Sequence, residues 1–236
     1  MYGFFPRYFD PTYILVVIGG LICVLASARV NSTFAKYSRV RSARNLTGKE
    51  AAERILHNQG LFDVQVRHVS GKLSDHYDPR TKTVNLSDST YNQASVAAVG
   101  VAAHECGHAL QHAQAYAPLS IRSALVPVAN FGSMAAWPLI LIGLFMNGGT
   151  ASLLINIGIL AFTASVLFQV VTLPVEFNAS SRAIKILGST GILSEDELSG
   201  TKAVLGAAAL TYVASAAASI LQLLRLVLIS NRGNED

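Results

Sequence analysis

Four stretches of this chain, 12–28, 125–146, 151–173 and 203–229, are long and apolar enough to cross about 30 Å of hydrocarbon. The first three carry no charged residue, and the fourth carries one, Arg225, near its end. That pattern excludes an ordinary soluble globule. Of the 236 residues only 14% are charged, where a soluble domain has roughly a quarter. The small residues of the last stretch suit close helix packing in a bundle, and Arg225 is long enough to reach the far interface.

Charge placement sets the expected topology. The net charge of +4 is no nucleic-acid footprint, because the cations gather beside the first apolar stretch. Arg7 precedes that stretch, offset by Asp10, while Arg29, Lys36, Arg39, Arg41, Arg44 and Lys49 follow it. Ala26-Ser-Ala28 looks like a signal-peptidase site, but a cleaved signal needs its positive charge in front. The expectation is an uncleaved anchor with its N-terminus outside and residues 29–124 in the cytoplasm. Asn147-Gly-Gly-Thr150 then turns the chain on the outer side. Residues 174–202, with Arg182, Lys185 and Lys202, return to the cytoplasm. The two cysteines, Cys23 and Cys106, lie in apolar surroundings and form no disulfide framework.

The cytoplasmic stretch carries local signals. Thr47-Gly-Lys-Glu50 is a capping box that opens a helix to about His57, and Gly60 closes it. Residues 64–69 alternate like a strand, Leu73-Ser-Asp-His-Tyr-Asp-Pro79 has turn chemistry, and 81–86 resumes strand character. Ser87, Asp88, Ser89 and Thr90 are candidate caps for a helix over about 91–116, which Pro118 stops.

Within that helix stands His104-Glu-Cys-Gly-His108. Two histidines four apart share a helix face, so their imidazoles can close on one Zn²⁺, and Glu105 can take a proton from attacking water. Catalytic zinc takes three protein ligands and keeps one position open. His112 is the obvious third, yet it lies about 12 Å from His104 along a continuous helix, too far for one ion. Gln111 and Gln114 occupy the glycine and histidine positions of H-E-x-x-H-x-x-G-x-x-H, so that arrangement is excluded. His112 then stands behind the ligands or at the surface.

Glu176, expected to start a new helix after the third apolar stretch, is the better third ligand. A carboxylate at the membrane interface is costly unless it is paired or metal-bound. A glutamate stabilised by a helix N-terminus accounts for it as well. Gly107 is expected to let the motif helix approach a neighbour such as the one carrying Glu176. Cys106, facing away from its flanking histidines, reads as core. Asn178 and Arg182 are candidates for oxyanion support, and pairing of Arg182 with neighbours of Glu176 or with phospholipid accounts for it equally. His76 either lines the cleft or belongs to a turn stabilised by Asp75 and Asp78. His57 and His68 read as surface residues.

The segments Leu73-Ser-Asp-His-Tyr-Asp-Pro79, Val101-Ala-Ala-His-Glu-Cys-Gly-His-Ala-Leu-Gln-His112, Pro174-Val-Glu-Phe-Asn-Ala-Ser-Ser-Arg-Ala183 and Ala207-Ala-Ala-Leu-Thr-Tyr-Val-Ala214 together resemble the YugP-like neutral zinc metallopeptidases of bacteria, over nearly the whole length. More distantly the chain looks like the HtpX-like membrane proteases, which pair two histidines with a downstream glutamate followed by Ala-Asp. Glu176 and Ala179 match that pattern, and Ser180 stands where it has the aspartate. The resemblance implies a peptidase with one Zn²⁺ on His104, His108 and Glu176, and Glu105 as catalytic base.

The expected fold class is a mainly α membrane protein: about four transmembrane helices plus a small α+β zincin-like cytoplasmic domain. Its parts would be an anchor (1–28), a motif-bearing cytoplasmic part (29–124), a transmembrane hairpin (125–173), a cytoplasmic helix with the third ligand (174–202), and a C-terminal transmembrane helix and tail (203–236). The expected location is a bacterial cell (inner) membrane, with the site on the cytoplasmic side. Expected partners are a protein or peptide substrate, membrane proteins among the candidates, and the lipid bilayer, with no nucleic acid. The alternative is a proteolytically inactive membrane scaffold or binding protein that retains a zinc site.

Overall fold

The computed structural model describes residues 10–146 and 148–232. Arg7, Asn147 of the expected turn and the last four residues lie outside the described residues. The elements in order are α1 (Tyr13–Tyr37), α2 (Gly48–Asn58), β1 (Gln65–His68), β2 (His76–Asp78), β3 (Thr83–Leu86), α3 (Val96–Ala113), α4 (Ala117–Phe145), α5 (Gly149–Ser189) and α6 (Glu195–Arg232). Among the described residues the molecule is mainly α-helical, with four helices long and apolar enough to cross a membrane and a small α+β part.

The chain divides into two compact units. One comprises Arg122–Val171 and the described parts of Met1–Ala26 and Tyr212–Asp236. Within it α4 and α5 run antiparallel, meeting through small residues. A side chain at Gly132 would strike the Ala161 carbonyl at 2.4 Å, and one at Gly158 would strike Ile140 at 2.6 Å. Two polar side chains bond across helices: Ser165 donates to the Ala129 carbonyl at 3.1 Å and Gln169 to Ser219 at 2.9 Å. Arg225 lies 3.8 Å from the Asp10 carboxylate and 4.0 Å from the Tyr13 ring centre, so it has a protein partner besides any interface it reaches. Meanwhile Leu25, Phe131, Phe145 and Leu160 stay largely exposed. Left in water, each would forgo about 1.5–3 kcal/mol of burial, whereas lipid tails accept them.

The other unit, Ser27–Ile121 and Thr172–Thr211, holds the motif. Here α2 opens with the expected capping box, Thr47 accepting from the Glu50 amide while Glu50 accepts from the Thr47 amide at 2.8 Å. The sheet has the order β1-β3-β2, with β1 parallel and β2 antiparallel to β3. Every residue of the central β3 is buried. Ile55 of α2, Leu86 of β3, Val99 and Cys106 of α3, and Leu187 of α5 are fully buried in one core.

Four local expectations need correction. The 73–79 stretch turns only at its two ends, at Leu73, which has a φ of 58°, and at Pro79, where Asp78 accepts from the Arg80 amide at 2.9 Å. His76–Asp78 is a strand, because pairing with β3 overrides its turn-forming composition. The motif helix starts later than its four candidate caps. Ser95 is the N-cap, accepting from the Ala98 amide at 3.2 Å, while Ser87 donates its amide and hydroxyl to Asp75. That helix ends before Pro118, with Ala115 at a φ of 48°. Pro118 sits in the first turn of α4, where a missing amide hydrogen costs nothing. Finally, Glu176 starts no new helix, since α5 runs unbroken through Pro174.

Candidate metal centre

The α3 helix presents His104 and His108 on one face, a turn apart. It lies against the 172–189 part of α5 at Gly107, where a side-chain carbon would come within 2.6 Å of the Ala179 carbonyl. This is the close approach expected of Gly107, and it decides the site. With the backbones that near, Glu176, one turn before Ser180, brings its carboxylate to the histidine pair. His104, His108 and Glu176 form the group that could hold a metal ion among the described residues.

Their reacting atoms converge. The two Nε2 atoms are 3.2 Å apart, and Glu176 Oε2 lies 3.3 Å from that of His104 and 3.5 Å from that of His108. Oε2 is buried and takes no hydrogen bond among the described residues, so it is an orphaned acceptor facing two ring nitrogens. Four-coordinate zinc with ligand distances of about 2.0–2.1 Å sets neighbouring ligand atoms about 3.3 Å apart. The observed triangle has those edges, and the donor set of two imidazoles and a carboxylate suits zinc with one position left open.

Glu105 is 7% exposed and takes no hydrogen bond among the described residues. Its charge acts on His108, which is raised above its ordinary pKa. Burial opposes the charged ring, but the Glu176 carboxylate, the Glu105 charge and Gln111 outweigh it. Cys106 faces the opposite way, fully buried beside the Ala52 carbonyl, and burial pushes its thiol far up. It behaves as core, as its orientation on the helix implied.

The sides of the imidazoles away from the triangle are also engaged. His104 Nδ1 lies 3.0 Å from the Ser180 hydroxyl, so the serine that replaces the aspartate of the related pattern does touch a candidate ligand. His108 Nδ1 lies 3.0 Å from Gln111 Oε1. Gln111, fully buried, donates to the Val175 carbonyl at 2.8 Å and to Asn178 Oδ1 at 3.0 Å. Arg182 donates to the same Asn178 oxygen at 2.6 Å and also reaches Gln114. Sequence reasoning missed Gln111 and gave Ser180 no contact. Both stand at helical spacing from a candidate ligand, Gln111 three after His108 and Ser180 four after Glu176.

The remaining candidates stay outside the triangle. His112 is exposed, with Nδ1 3.0 Å from the Tyr77 hydroxyl on β2. His76, also on β2, holds the Ser74 carbonyl with one ring nitrogen and contacts the Asn85 amide with the other. His68, at the end of β1, pairs with Asp88 at 2.7 Å.

Comparison with known proteins agrees with this chemistry. The family described as "Putative neutral zinc metallopeptidase" matches residues 12–231. The chain is 46% identical over 225 residues to "Putative membrane protease YugP" of Bacillus subtilis (strain 168), covering 95% of this chain and 99% of that protein. No solved structure matches it significantly.

Proposed function

This chain belongs to the neutral zinc metallopeptidase family, and from that premise we propose that it is a membrane-embedded zinc endopeptidase in which Glu105 is the general base. The observation that carries the reading is the convergence of three donors, with Glu105, which takes no hydrogen bond among the described residues, next to the first of them in the chain. His104, His108 and Glu176 would hold one Zn²⁺. The ion would supply Lewis-acid polarisation of a scissile carbonyl and lower the pKa of water to near neutrality.

The chain's own residues do the rest. The two imidazoles bind as neutral donors through Nε2, and Glu176 adds the single negative charge of the ligand set. Glu105, adjacent to His104 in sequence and without a hydrogen bond among the described residues, takes the proton from the attacking water and returns it to the leaving amine. The peptide bond breaks with a hydroxyl added to the carbonyl carbon and a proton to the nitrogen, so no further reactant is required.

For location, the cations that follow the first apolar helix support a bacterial cell membrane with the metal centre on the cytoplasmic side. The layout follows: residues 1–28 anchor the chain, 29–124 and 174–202 form the catalytic part, and 125–173 with 203–236 complete the membrane part. The substrate class is a protein or peptide chain, as the name of the Bacillus relative also suggests.

The test is Glu105→Gln in the purified full chain. Hydrolysis of an unfolded test polypeptide is expected to vanish while one zinc per chain is retained. Undiminished cleavage by that variant rejects Glu105 as base. Wild-type protein that binds zinc and cleaves nothing supports the inactive scaffold instead. Polypeptides that stay bound to the variant in its native host would identify the substrate.

A further inference from the structure

Resting on the metallopeptidase reading, we propose that Gln111 is the positioning residue of the metal centre: it fixes which nitrogen of His108 faces the metal, and Asn178 and Arg182 hold Gln111 in the one orientation that does so.

The argument follows hydrogen-bond polarity along the chain of contacts. A guanidinium donates and cannot accept. The Asn178 atom facing Arg182 Nε at 2.6 Å is therefore the amide oxygen. That oxygen also lies 3.0 Å from Gln111, and the Val175 carbonyl lies 2.8 Å from the same Gln111 atom. Two acceptors face it, so it must be the NH2 group. The other end of the Gln111 amide, 3.0 Å from His108 Nδ1, is then its oxygen, which only accepts. His108 must carry its proton on Nδ1, leaving the Nε2 lone pair aimed at His104 Nε2 and Glu176 Oε2. A neutral imidazole binds a metal through its unprotonated nitrogen, and the partner of the other nitrogen selects which one that is.

His104 has no equivalent. Its Nδ1 partner is the Ser180 hydroxyl, which donates or accepts equally well and imposes neither tautomer. The two histidines are thus held unequally, and Gln111 carries the orientation of the pair. Its complete burial and its double anchor to α5 make the orientation rigid. Asn178 and Arg182 thereby act behind the metal site rather than on the substrate.

The experiment uses the full chain in detergent, stripped of metal and titrated with Zn²⁺ against a competing chelator, and separately with Co²⁺ for its visible spectrum. Gln111→Met, which keeps the length and loses the acceptor, is expected to weaken Zn²⁺ binding about 10–100-fold and to change the Co²⁺ spectrum. Asn178→Asp keeps an acceptor for both Gln111 and Arg182 and is expected to bind Zn²⁺ nearly as wild type does. Asn178→Leu is expected to shift toward Gln111→Met. Melting of the metal-free proteins reports folding, and if Gln111→Met does not fold, the Asn178 pair decides. Wild-type affinity and spectrum in Gln111→Met overturn the proposal, as does identical behaviour of Asp and Leu at 178. In those cases the metallopeptidase reading survives, provided wild type binds zinc and cleaves. A wild type that takes up no zinc sinks both.

Discussion

At the residue scale, the candidate centre depends on what Gly107 lacks. Any side chain there meets the Ala179 carbonyl at 2.6 Å, and backbone cannot yield as a flexible side chain can. Gly107→Val is expected to cost about 1–3 kcal/mol of stability and to weaken zinc binding by parting α3 from α5. Thermal melting and metal titration of the same sample check both effects. His108 gives a pH test with two signs. Its pKa is raised in the metal-free protein, so that fold gains stability below the unfolded imidazole value of about 6.5 and loses it as pH rises through the raised value. Zinc binding runs the other way, because the ion must displace the proton. Zinc affinity is expected to fall on acidification, starting above the ordinary imidazole range, and chelator competition across pH measures it.

At the element scale, α2 shows how far local chemistry reaches. Thr47 and Glu50 were legible as a capping box because both partners lie within one turn, and the structure contains it. The Glu50 carboxyl is held below its usual value, first by the Thr47 amide and then by the Thr47 hydroxyl. The sign is that of a depressed acid: its contribution is present above about pH 4.3 and lost as pH falls through the lower folded value. Thr47→Ala is expected to cost about 0.5–2 kcal/mol, measured as a lowered melting temperature of the full chain.

Elements defined by distant partners were harder to read. The short strand at 76–78 has the composition of a turn and exists through its pairing with β3. The helix boundary near Pro174 was misplaced because the apolar stretch ends there, and a change of composition read as a change of element. In a long apolar helix the proline removes one amide donor without ending the helix.

At the scale of the whole molecule, the metal is expected to act as a staple. His104 and His108 belong to α3 and Glu176 to α5, with all of α4 between them in the chain. A ligand that binds only the folded state adds about 2.7 kcal/mol at a hundredfold excess over its dissociation constant. Removing zinc with a chelator is expected to lower the melting temperature, and re-adding it to restore it. Glu176→Gln is expected to abolish the zinc-dependent part of that shift. No such shift in the wild type would mean that these three side chains do not share an ion.

The sequence by itself determined the membrane class, because four uncharged or nearly uncharged apolar stretches have no other stable solvent. It placed the two histidines on one helix face with Glu105 next to the first, because helical spacing is a local property that needs no tertiary information. It also pointed to Glu176, but only as one of two readings until family resemblance weighed in. Tertiary structure decided what depends on two helices meeting: Gly107 against Ala179, a carboxylate brought to the imidazoles, and a buried Gln111 with its oxygen on His108. These are contacts between segments far apart in the chain. Packing sets their geometry, and no spacing rule along one segment contains it.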